Sequence, residues 1–69
     1  MKYAIVYKGN TELFDSLKDA TKEAKRLVEN NYTNTCTVCS YNEEDEETVR
    51  KSAELGEAVC MKEVERFFI

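Results

Sequence analysis

KYAIVYKGNTELFDSLKDATKEAKRLVENN, residues 2–31, is the stretch whose reading decides the fold. Residues 2–8 alternate as a strand, with Tyr3, Ile5 and Tyr7 on one face and Ala4 and Val6 on the other. Both faces are apolar, which predicts a central strand. Gly9-Asn10 supplies turn chemistry, and Thr11–Phe14 can return as a short second strand. Ser16 then reads as a helix cap, with Asp19 three residues on in a capping-box position. Leu17, Ala20, Ala24, Leu27 and Val28 recur at helical spacing, and Asn30-Asn31 offers a left-handed stop.

Working outward, residues 35–41 (TCTVCSY) are rich in β-branched and aromatic side chains and predict another strand. The run Glu43-Glu44-Asp45-Glu46-Glu47 opens a second helix through about Leu55, where carboxylates meet the positive end of the helix dipole. Gly56 ends it. Residues 57–68 read two ways. Cys60, Met61, Val64, Phe67 and Phe68 fit one helical face, whereas a strand needs a bulge near Lys62-Glu63. A strand is favoured, since otherwise the sheet has two full strands and one short one. The expectation is one small domain over residues 1–69, an α+β fold in the order β-β-α-β-α-β. Its mostly antiparallel sheet carries one or two helices packed on one face, and the C-terminal element is helical in the alternative.

A chain of 69 residues buries only about 60% of its unfolded surface, so the core is thin. With 42% hydrophobic and 35% charged residues and no proline, it is neither a disordered chain nor a linker. It contains no histidine, which removes the usual general base, metal ligand and proton shuttle together. Two glycines, Gly9 and Gly56, cannot write a phosphate-cradling loop. Ser16, Ser40 and Ser52 have no base available, and the carboxylates lie in solvated or alternating positions. A catalyst is therefore not expected, and neither is a cofactor. No apolar run approaches the roughly 18 residues that cross a bilayer. The apolar run Tyr3–Tyr7 is too short for a secretory signal core, so the expected location is the cytoplasm, without a membrane.

Cys36-Thr-Val-Cys39 is the one motif with a chemical precedent. Three thiols without an imidazole fall short of a zinc site, and in a strand a spacing of three sends the two sulfurs to opposite faces. Cys36, Cys39 and Cys60 are an odd count, so the expectation is three reduced, half-buried thiols and no metal. Lys18, Lys22, Lys25 and Arg26 form a basic stripe on the first helix, but Asp19, Glu23 and Glu29 interleave with it. That pattern is an ordinary solvated face, and direct nucleic-acid binding is not expected.

Charge is distributed unevenly. Residues 1–42 carry six basic and five acidic side chains, for +1; residues 43–69 carry four and nine, for −5. The acidic run is a solvated helix start or a partner-directed patch whose carboxylates imitate spaced phosphates. Tyr3 and Tyr7 offer a second candidate surface, joined by Tyr41, if Ala4 and Val6 pack beneath the helix; in the opposite phase these rings are core. Phe67-Phe68-Ile69 is a third, suited to self-association.

Small size, acidity and absent chemistry together resemble the inhibitors encoded by bacteriophages and mobile elements, anti-CRISPR proteins among them. The likeness is one of general character over the whole chain. It implies a protein-binding inhibitor that blocks a basic, nucleic-acid-binding surface of a larger protein. Glu43, Glu44, Asp45, Glu46 and Glu47 are the candidate contacts, with Tyr3, Tyr7 and Tyr41 as the second set. The alternative is a homodimeric structural or regulatory module.

Overall fold

The structure is a computed structural model and describes residues 1–68; Ile69 of the C-terminal candidate lies outside them. Lys2–Tyr7 forms β1 and Asn10–Phe14 forms β2, joined by the two-residue loop Lys8-Gly9. Both loop residues have positive φ, 49° and 75°, which matches the hairpin turn whose twist suits antiparallel strands. Leu17–Glu29 is helix α1, Thr35–Tyr41 is β3, Glu46–Glu54 is helix α2 and Lys62–Phe68 is β4. A single 3-10 turn, Glu43–Asp45, leads into α2.

Among the described residues the sheet has four strands in the order β2-β1-β3-β4, every neighbouring pair antiparallel. The fold is α+β in the order β-β-α-β-α-β, with β1 in the interior. The C-terminal element is a strand and it carries the required bulge. Val38 pairs with Glu65 but Cys39 pairs with Glu63, so Val64 is the extra residue. The inserted residue resets the alternation. Glu63 and Arg66 therefore share a face and meet at 2.7 Å, which positions three apart in a regular strand cannot do.

Register decides which residues share a face. Tyr3, Ile5 and Tyr7 lie with Cys36, Val38 and Ser40, and α1 packs over them. Ala20, Ala24, Leu27 and Val28 are its buried stripe, set against Ile5, Cys36 and Val38, with Phe14 and Phe67 at the margins. Ser16 caps α1, its Oγ accepting from the Asp19 amide at 3.1 Å. At the other end Asn31 adopts φ 61°, and the Tyr32 amide reaches back to the Leu27 carbonyl. This is the left-handed stop expected of Asn30-Asn31.

The opposite face holds Ala4, Val6, Leu13 and Tyr41. Here Val49 of α2 and Val59 close a smaller cluster with Ala4, Leu13 and Tyr41. One helix thus covers one face, and the second helix takes the other face instead of lying beside it. Two apolar faces on β1 make both positions available.

The cysteines correct the sequence reading. Cys39 and Cys60 are joined in a disulfide, and only Cys36 is free. An odd count leaves one thiol over; it does not prevent the other two from pairing.

Candidate functional site

The acidic run lies where β3 leaves the sheet and turns into α2. Its carboxylates favour this position because the unsatisfied amides of a helix start attract negative charge. The Asp45 amide bonds the Asn42 carbonyl at 2.9 Å, closing the 3-10 turn, and no side chain caps α2. Val49 is buried beneath Tyr41 and Ala4, which orients the whole segment. Glu43, Glu44 and Glu47 are exposed, while Asp45 and Glu46 are half-buried. Glu46 pairs with Arg50 at 3.3 Å. The other four have no ion pair among the described residues.

Charge around this turn extends to the start of β1. The Lys2 amine lies 2.9 Å from the Asp15 carboxylate, which raises the lysine's pKa and lowers its own. The fields of Glu46 and Glu43 add weakly to the rise at Lys2. A shallow hollow lined by Tyr41, Asn42, Asp45, Met61 and Lys62 adjoins the turn. At the far end of α2, Glu54 and Glu57 are also exposed.

The tyrosines do not form one surface. Tyr3 and Tyr7 lie half-buried at the margin of the α1 core, so the phase is the one in which these rings are core. Tyr41 is buried on the opposite face and does not join them. Its phenol is held above the usual tyrosine range, chiefly by burial. The Tyr7 hydroxyl donates to Glu12 Oε2 at 2.8 Å; that bond, followed by burial, pushes its pKa up to about 12. A stacking platform for nucleotide bases needs open ring faces in a row, and these three rings are not so arranged.

The basic stripe of α1 is partly neutralised. Glu23 holds Arg26 through two hydrogen bonds, 2.6 and 2.9 Å long, and the guanidinium also stacks over Tyr32 at 5.7 Å. Lys18, Lys22 and Lys25 remain exposed among acidic neighbours.

Phe67 packs against the α1 core, whereas Phe68 is 68% exposed. With Val64 and Met61 it leaves an apolar margin along β4, whose outer edge has no strand partner among the described residues. Charged residues and the bulge interrupt that edge, which are the usual devices against sheet-to-sheet pairing.

Sequence reasoning missed the attachment of residues 57–60 to the second face. The Thr11 hydroxyl donates to the Glu57 carbonyl at 2.8 Å and accepts from the Val59 amide at 3.0 Å. Next to it stands the Cys39–Cys60 bond. Strand parity on β2 and β3 gives the face of these residues but not their partners. Thr11 and Cys39 both share a face with Ala4 and Val6, away from α1. Among the described residues no group of three His, Cys, Asp or Glu is placed to hold a metal ion, and no helix is long and apolar enough to cross a membrane.

No family model, curated protein or solved structure matches the chain, so no relative's activity bears on it.

Proposed function

We propose that this chain is a non-catalytic protein-binding module whose acidic turn occupies a basic, nucleic-acid-binding surface on a larger protein. The observation that carries the reading is the state of Glu43, Glu44, Asp45 and Glu47. Glu43, Glu44 and Asp45 form the 3-10 turn after β3, Glu47 follows in the first turn of α2, and none of the four has an ion pair among the described residues. Unpaired carboxylates on a fixed turn act at long range, steering a positive partner and competing with phosphates for its lysines and arginines. The general likeness to phage and mobile-element inhibitors, anti-CRISPR proteins among them, supplies the class of target: a nucleic-acid-processing complex in the cytoplasm.

The test begins with a tagged pull-down with and without nuclease, to find a nucleic-acid-handling protein that moderate salt elutes. Binding kinetics follow, with Glu43, Glu44, Glu46 and Glu47 changed to Gln and Asp45 to Asn. The on-rate at low salt is expected to fall about tenfold or more, with the salt dependence flattened. An unaltered on-rate rejects the acidic-turn mechanism.

The exposed edge of β4, with Val64 and Phe68, supports a second reading as a homodimeric structural or regulatory module. Sedimentation at micromolar concentration separates the two. A clean monomer removes the dimer.

A further inference from the structure

We infer that the Cys39–Cys60 disulfide is a reducible clasp, and that opening it releases α2 and residues 55–61 from the sheet while the α1 half stays folded. The inference goes beyond the binding reading and does not rest on it; only its consequence for partner binding does.

The clasp joins a buried residue of β3 to an exposed loop residue, across a sequence separation of 21. Little else holds that loop. Leu55 is 72% exposed, and Gly56, Glu57, Ala58 and Met61 are exposed as well. Val59 is the half-buried exception, and the Thr11 hydroxyl gives the loop two hydrogen bonds. The helix before it buries Val49 and nothing larger. Residues 46–61 thus rest on two valines, one threonine and one covalent bond, and the bond is the member that solution chemistry can remove.

Access and isolation make the step specific. Cys60 sits on the exposed side, so the thiolate of a reducing dithiol attacks its sulfur and forms a mixed disulfide there. The Sγ–Sγ bond breaks, and Cys39 leaves as a thiolate that takes up a proton. The second thiol of the dithiol then displaces Cys60. The dithiol is oxidised to a disulfide and the protein is reduced to two thiols. Cys36 takes no part. It lies on the α1 face of β3, opposite Cys39, and is fully buried. Once the pair is open, residues 46–61 keep only the contacts of Val49, Val59 and Thr11, and the α2 end of the acidic run loses its fixed spacing to the β3 end. Partner binding then weakens, if the acidic turn is the contact.

The experiment is hydrogen exchange on the intact wild-type chain, oxidised and after treatment with dithiothreitol, with Cys60→Ser as a second route to the open state. Reduction is verified by a mass gain of two hydrogens. The amides of residues 46–61, Glu57 and Val59 above all, are expected to exchange at least about tenfold faster, with α1 and β1 to β3 still protected. Three results overturn the inference: a bond that resists the dithiol in the folded protein, exchange that accelerates equally in α1, or exchange that does not change. No partner is present, so failure here leaves the binding reading standing, and failure of that reading leaves the clasp intact.

Discussion

The two faces of the sheet are built by different means. On one, α1 spans 13 residues, buries Ala20, Ala24, Leu27 and Val28, and has a side-chain cap at Ser16 and a left-handed stop at Asn31. On the other, α2 spans nine residues, buries Val49 and has no side-chain cap. Distributed apolar contact makes the first face the folding unit. Point attachments hold the second, which is therefore the part that can be altered without dissolving the domain. The acidic turn belongs to this lightly held face, so the surface proposed to bind is also the more detachable one.

Truncating one buried side chain on each face tests that contrast. Ile5 is fully buried among α1 residues, and Ile5→Ala is expected to cost about 2–5 kcal/mol, close to the whole stability of a small domain. Val49→Ala removes less volume and leaves the α1 core untouched, for about 1.5–2.5 kcal/mol. Urea unfolding followed by far-ultraviolet circular dichroism measures both. If Val49→Ala proves as damaging as Ile5→Ala, the second face is part of the folding unit and the contrast fails.

The same contrast explains what the sequence discloses. Local chemistry locates every helix and strand of the α1 side: Ser16 and Asn31 for the ends of α1, Gly9-Asn10 for the hairpin, whose turn falls one residue earlier at Lys8-Gly9, and the β-branched run for β3. Even the bulge is legible, because the pattern around Lys62-Glu63 cannot alternate without it. The second face is harder to read because long-range pairs determine it. Nothing near Cys60 in the chain announces Cys39, and nothing near Thr11 announces Glu57 or Val59. The candidate site divides in the same manner. The acidic run is visible as composition. That Tyr41 lies beneath α2 while Tyr3 and Tyr7 lie under α1 follows only once both helices are placed.

A smaller effect is expected at the helix starts. Ser16→Ala removes the acceptor for the Asp19 amide and should lower stability by about 1 kcal/mol. Asp45 stands at the corresponding place before α2 but makes no capping bond, so Asp45→Asn should change thermal stability by no more than about 0.5 kcal/mol. Equal losses in thermal melts would mean that α2 is anchored at its start as firmly as α1.

The last effect falls at alkaline pH, and it loads the α1 face most. Burial, with Glu12 and Glu23 nearby, pushes the Cys36 thiol from 9.0 up to about 11, and Tyr7 rises from 10.0 to about 12 through its bond to Glu12. In both cases the folded chain keeps its proton to higher pH than the unfolded chain does. The stabilisation is therefore complete below pH 9 and declines as pH rises, through about 11 for the thiol and about 12 for the phenol. Tyr7→Phe removes the phenol and its hydrogen bond, costing about 1 kcal/mol at neutral pH. It should also flatten the decline above pH 10, leaving the thiol's earlier portion in place. Tyr41 on the second face is raised too, so some alkaline loss persists in the variant. Urea midpoints measured across this range decide the matter. A Tyr7→Phe curve that falls as steeply as wild type above pH 10 would remove Tyr7 as a source of the alkaline loss and leave it to Cys36 and Tyr41.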